Sequence, residues 1–217
     1  MTPLNAGRGL CQPTHQLSIR PTQSVLELGA VSDVIHTALN AAHHANRHGD
    51  PGNWIAVALP GLHVRRGAAN PGHEVVLFGS AVALDDYQKL DGVQTLLRRI
   101  MIKPLQLIEA HAVAGEVGTA YVRDRATARL SPGAVRRAQE RAARRGITLS
   151  GKVRTQSPSA AILALHFGSA VVHVREIEAN IGSEPLHVST YGFSSPEAPA
   201  VLPIQADSVI GRLDDAA

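Results

Sequence analysis

Ser24–Leu59 reads SVLELGAVSDVIHTALNAAHHANRHGDPGNWIAVAL. Leu28, Val31, Ile35, Leu39 and Ala42 recur at helical spacing. Ser24-Val-Leu-Glu27 has the S-x-x-E form in which a serine and a glutamate satisfy the free amides of a helix start. The pattern predicts one helix from Ser24 to about Asn46, stopped by the turn signal His48-Gly-Asp-Pro-Gly52. Trp54–Leu59 is then a short apolar strand ended by Pro60. Outward from this unit, Gln16–Arg20 is a preceding strand and Gly61–Gly72 a loop holding Arg65 and Arg66. Glu74–Phe78 is a further strand. Val82–Arg99 is a second amphipathic helix carrying Leu84, Leu90, Val93, Leu96 and Leu97, and Leu105–Val113 is a fourth strand. The order β-α-β-β-α-β is the ferredoxin-like pattern, in which two helices cover one face of four strands.

The second half reads as a less regular α+β unit. Ala114-Gly-Glu-Val-Gly118 is a linker, followed by a basic stretch, one helix, a loop over Ser150–Ser159 and a strand pair around Ile162–Leu165 and Val171–Ile177. The expected organisation is a ferredoxin-like domain over 15–113, a second domain over 119–205, and flexible ends at 1–14 and 206–217.

The chain has 217 residues, 44% of them apolar, which is enough to build a buried core. Its one cysteine, Cys11, excludes a disulfide scaffold and a multi-cysteine metal site. The longest strongly apolar run, Ala160 to Leu165, is far below the ~20 residues that span a bilayer, so no membrane partner is expected. The first residues lack the apolar stretch of a secretory signal, and a cytoplasmic location is expected. Phe, Tyr and Trp number only seven, few for a protein that stacks single-stranded bases on aromatic platforms.

The net charge is only +3, but it is unevenly placed. Tyr121 to Arg154 holds Arg123, Arg125, Arg129, Arg136, Arg137, Arg141, Arg144, Arg145, Lys152 and Arg154 against Asp124 and Glu140. That segment is therefore +8 and the remainder −5, a footprint for a polyanion. Ser131-Pro132 starts a helix and Gly146 stops it. At ~100° per residue Arg136, Arg137, Arg141, Arg144 and Arg145 fall within one half of the circumference. Val135, Ala142 and Gly146 form a small opposite face that can pack closely. A helix roughly 21 Å long can follow several consecutive phosphates. The plainer alternative is a solvated basic face, but nearly no acids lie nearby to balance it.

Histidines number eleven. His36, Asn40, His43 and Arg47 form a stripe beside the apolar face of the first helix. A histidine there is ordinarily a packed or surface residue, yet an imidazole is also the side chain suited to proton transfer near neutrality. A His43/His48 zinc pair lacks an acidic residue at helical ligand spacing, and no phosphate-binding or nucleotide-binding glycine loop occurs, so no metal or cofactor is expected.

The order of these features resembles the CRISPR RNA-processing endoribonucleases of the type I-F kind, members of the repeat-associated RNA-endonuclease superfamily. The likeness runs from about Leu17 to Ile204. It rests on Ile35-His-Thr-Ala-Leu39, Trp54-Ile-Ala-Val-Ala-Leu-Pro60, Tyr121-Val-Arg123 leading into the arginine-rich helix, His173-Val-Arg175, Ser189-Thr-Tyr-Gly-Phe193 and Val201-Leu-Pro-Ile204. The resemblance implies that the arginine-rich helix, 131–146, docks on the repeat hairpin. It implies metal-independent cutting at the 3′ base of the stem by the RNA's own 2′-hydroxyl, giving a 2′,3′-cyclic phosphate and a 5′-hydroxyl. The family's catalytic histidine falls on His36 and its active-site tyrosine on Tyr191. The RNA-contacting arginines fall on Arg136, Arg137, Arg141, Arg144 and Arg145, with Arg123, Arg125 and Arg129 preceding them. The family's serine falls on Phe167. Either Ser169, two positions on and on the same side of a strand, takes its place, or the 2′-hydroxyl is held differently, or cutting is slow. The implied partners are the repeat hairpin, the mature CRISPR RNA and other subunits of the effector complex. A hairpin-binding subunit of a transposon-associated or type IV-like complex, with little or no cleavage, is the alternative. A general DNA-binding or ribosome-associated protein is a third reading of the basic helix.

Overall fold

The computed structural model describes residues 7–65, 68–124, 132–145, 162–167, 170–183 and 185–204. It is a mixed α+β structure. In chain order it holds β1 (Arg8–Cys11), β2 (His15–Ile19), α1 (Gln23–Glu27), α2 (Val31–His48), β3 (Ala56–Ala58), β4 (His63–Arg65), β5 (Ala68–Asn70) and β6 (Val75–Gly79). These are followed by α3 (Ala81–Gln88), α4 (Asp91–Arg98), β7 (Leu107–Glu109), β8 (Val117–Arg123), α5 (Pro132–Arg144), β9 (Leu163–Phe167), β10 (Ala170–Asn180) and β11 (Leu186–Ser189).

The main sheet has the order β3-β6-β2-β7, with every pair antiparallel. Leu17 and Ile19 of β2 are fully buried while Gln16 and Ser18 alternate with them, the mark of a strand covered more on one face than the other. Val34, Ile35, Ala38, Leu39 and Ala42 of α2 face the same core. Val34, Ile35 and Leu39 each contribute ~1.5–3 kcal/mol by leaving water, and the alanine methyls less. Asn46 fastens the far end of α2 to the β3 edge: its Nδ2 donates to Ile55 O (2.9 Å) and its Oδ1 accepts from Ile55 N (2.7 Å). Tyr87 OH of α3 donates to Ala38 O (3.2 Å).

Both expected helices are broken in two. Gly29 takes the left-handed conformation (φ +69°) between α1 and α2, a geometry that glycine adopts without a Cβ penalty. Ser24 consequently lies inside α1 and forms no capping box; the N-cap is Thr22, whose hydroxyl donates to Ile100 O (2.9 Å). The second break is at Leu90, which is extended and caps α4, while Lys89 closes α3 beside Asp85 and Asp86. The break lets Leu84 and Tyr87 of one helix and Val93 and Leu96 of the next all enter the core. Ser80 caps α3 by accepting from Ala83 N (3.1 Å).

The expected loop at 61–72 contains the β4–β5 hairpin. The fourth strand of the sheet is only Leu107–Glu109, all exposed, rather than Leu105–Val113. The expected linker runs into β8, which begins at Val117.

A second sheet, β8-β10-β9, is antiparallel throughout. Its residues Leu163, Leu165, Phe167, Val172 and Val174 join Ile35, Leu39, Ile55 and Val57 in one apolar cluster, so the two halves of the chain share a core. A smaller cluster of Ala120, Val122, Ile181 and Val201 lies elsewhere on this sheet. The flexible N-terminal end expected over 1–14 is corrected at Arg8–Cys11, which pairs with Leu186–Ser189 as β1–β11. Gly9 sits against the indole of Trp54, where any Cβ would collide with the ring. Gly192 (φ +81°) accepts at its carbonyl from Val57 N (2.9 Å), and a Cβ there would run into the Val57 side chain. That approach brings the loop after β11, with Tyr191 on it, to the edge of the main sheet. Among the described residues no helix is long and apolar enough to cross a membrane.

Candidate nucleic-acid interface and active site

The arginine-rich helix α5 has a small seated side and a charged outer side. Val135 is buried (8% exposed) and Ala138 and Ala142 are half-buried, whereas Arg136, Arg137, Arg141, Arg144 and Arg145 are all exposed. Spacing i, i+3, i+7 along the small residues explains the division. Arg136 Nε lies 3.7 Å from Glu140 Oε1, an exposed contact worth ~0.3–0.5 kcal/mol. Arg141 Nε donates to Arg137 O (3.2 Å). Arg141 and Arg144 also fall in the last turn, where cations complement the helix dipole. Among the described residues the arginine side is left exposed. Ser131, Gly146, Arg125, Arg129 and Ser169 lie outside the described residues, as do residues 205–217 of the chain's end.

A second cluster forms where α2, β9 and the 190–193 loop meet. His36 is half-buried, with Ser32 Oγ 3.3 Å from its Nδ1. The ring of His166, on β9, stands edge-on to it at 6.5 Å between centroids. Two turns further along α2, His43 stacks on Tyr191 (4.4 Å, 7° between planes). Its Nδ1 lies 3.0 Å from Thr190 O, so the ring nitrogen donates and the neutral form leaves Nε2 as the lone-pair nitrogen. Phe167 meets both rings edge-on, at 5.7 Å from His43 and 4.8 Å from Tyr191. The Arg123 guanidinium stands 5.2 Å from the Tyr191 ring centre, within cation–π range.

Of the expected site residues, Tyr191 and Arg123 are thus in contact. His36 is placed beside His166, while Tyr191 is against His43. Phe167 is 5% exposed and packs as a core aromatic. His43 and His48 do not converge as a zinc pair would, since His43 turns to Thr190 and His48 stacks on His44 (4.3 Å). Among the described residues no group of three or more His, Cys, Asp or Glu side chains could hold a metal ion. His43 and His166 stand in this cluster although neither is among the expected site residues. The stripe His36-Asn40-His43 signalled the first, but nothing local signals that β9 brings His166 to α2.

Burial holds His43 below the ordinary histidine value of 6.5 against the pull of the Thr190 carbonyl, and Arg47, His44 and His48 push it the same way. His173, 6% exposed, is also lowered chiefly by burial; Asp124 opposes this, while Arg123 and His166 add to it. Both rings bind a proton more readily in the unfolded chain. Stability is therefore complete above about pH 6.5 and falls as pH drops from there towards the folded values. Thermal melts between about pH 8 and 5 should show Tm declining below that point, with the decline shallower in His43→Gln. A wild-type Tm that stays level on acidification would contradict this assignment.

No family model matches the chain, and no curated protein matches it.

Proposed function

We propose that this chain is a CRISPR repeat-hairpin endoribonuclease of the type I-F kind, one that processes precursor CRISPR RNA and stays on the hairpin as an effector-complex subunit. The observation that carries the reading is the exposed arginine side of α5, which among the described residues is met by one weak carboxylate contact. The order β3-β6-β2-β7, with helices joining β2 to β3 and β6 to β7, supports a ferredoxin-like first half. A cytoplasmic location and the other effector subunits as partners belong to the same reading.

In this reading Arg136, Arg137, Arg141, Arg144 and Arg145 hold the phosphates of the stem, with Arg123, Arg125 and Arg129 alongside. Guanidinium forks bind phosphate oxygens two at a time, which fixes register as well as adding attraction. The strand at the foot of the stem then reaches His36. Its imidazole takes the 2′-hydroxyl proton, the 2′-oxygen attacks the adjacent phosphorus, and the 5′-oxygen leaves. The 2′-oxygen and its phosphorus belong to one nucleotide, so the step is already intramolecular, and holding the two in line supplies the near-attack geometry. Tyr191, braced by His43 and Arg123, and Ser169 complete the expected catalytic set. No cofactor enters this chemistry.

A second reading is favoured by Phe167. At the position where the family carries its serine this chain has a buried ring and no hydroxyl. In that reading the protein is a non-catalytic or weakly catalytic hairpin-binding subunit of a transposon-associated or type IV-like complex. Incubation with an end-labelled CRISPR-repeat hairpin, followed by analysis of the new ends, separates the two. A 2′,3′-cyclic phosphate and a 5′-hydroxyl, formed equally with EDTA present, are expected of the nuclease. Intact RNA with a persisting gel shift would favour the binding subunit. Equal affinity for duplex DNA would count against both.

A further inference from the structure

We infer that His166 is the general acid of the reaction, protonating the leaving 5′-oxygen opposite His36. The inference rests on the endonuclease reading above and deepens it. It starts from a placement the chain order does not suggest: an imidazole on β9 brought edge-on to one on α2, at 6.5 Å between centroids. His166 is exposed, and Ser32 beside Nδ1 steadies His36, so both rings can meet a strand lying across the gap.

The spacing suits a single phosphate. Each ring needs one nitrogen within ~2.6–3.2 Å of an oxygen on its own side of the phosphorus. In-line displacement puts the attacking and leaving oxygens on opposite sides, so one base cannot serve both. Two imidazoles on separate elements can. The register puts His166 opposite Val171 and His173 opposite Ala164, so His166 and His173 share one face of the sheet. Asp124 adjoins His173 there, its N–H donating to the His173 carbonyl (2.8 Å). The alternating burial of Leu163, Leu165 and Phe167 turns His166 outward rather than into the core.

The step balances within the RNA and the two rings. The 2′-oxygen–phosphorus bond forms and the phosphorus–5′-oxygen bond breaks. The 2′-hydroxyl proton passes to neutral His36, and protonated His166 gives its proton to the departing 5′-oxygen. The products are the cyclic phosphate and the 5′-hydroxyl, with the two rings left in exchanged protonation states that water resets.

Replacing the scissile 5′-oxygen by sulfur tests this, because a thiolate leaves without a proton. On ordinary RNA His166→Ala should cut ~10²–10⁴-fold more slowly than wild type, the usual contribution of a positioned acid. On the sulfur-substituted RNA it should recover to near the wild-type rate, whereas His36→Ala should remain slow on both. His166→Asn, which keeps a polar side chain at the exposed position, should behave as His166→Ala. An unchanged rate on ordinary RNA, or a defect that persists with the sulfur leaving group, would overturn the role of His166. If wild type cuts neither RNA, it is the endonuclease reading itself that fails.

Discussion

His36→Ala should stop cutting while leaving hairpin binding intact. Loss of a positioned base is expected to slow the chemical step by ~10²–10⁴-fold. Binding, by contrast, should keep its wild-type Kd, because in the proposed reading α5, and not α2, holds the phosphates. The substitution is also mild for the fold. His36 is half-buried, and its close contacts are the Ser32 hydroxyl and the His166 ring, neither of which belongs to the apolar cluster beneath α2. A gel shift and a cleavage time course on the same preparation separate the two effects. A variant that cuts at the wild-type rate removes His36 from the chemistry. One that neither binds nor cuts, with its Tm lowered, shows that the ring supports the fold instead.

The order of strands and helices was legible because each main element carries its own periodicity. Leu17 and Ile19 alternate, and Ile35, Leu39 and Ala42 recur at helical spacing, regardless of what they later touch. The helix breaks were not legible for the same reason. Apolar spacing continues across Gly29 and Leu90, so a periodic reading passes straight through both. A glycine inside a helical pattern is tolerated often enough that Gly29 alone does not announce a left-handed residue. The β1–β11 pair was invisible because four residues without strong alternation become a strand only when Leu186–Ser189 arrives beside them. That is tertiary context overriding weak local preference. The arginine side of α5 was readable, since it needs only one helix. The His43–Tyr191–Phe167 stack was not, because it joins three elements distant in the chain. The His36–His166 pair fails to show in the sequence for the same reason.

Replacing Arg137, Arg141 and Arg144 together by alanine should cost about 10²-fold in hairpin affinity near physiological salt, taking roughly 1 kcal/mol for each lost phosphate contact. The sharper measure is the salt dependence. Each neutralised phosphate steepens the fall of log K with log salt by ~0.9, so removing three should flatten the slope by about 3. The fold should tolerate the change, since all three side chains are exposed and alanine has the highest helix propensity. Arg136 is the weaker choice because Glu140 stands near it. Replacement by lysine separates charge from shape: the slope should return while affinity stays below wild type, because an ammonium cannot bind two phosphate oxygens as a planar fork does. An unchanged slope in the triple alanine variant would mean that the RNA lies elsewhere. The remaining explanation for α5 would then be a helix whose charge serves solubility alone, and its crowding of like charges with so few acids nearby would have no other account.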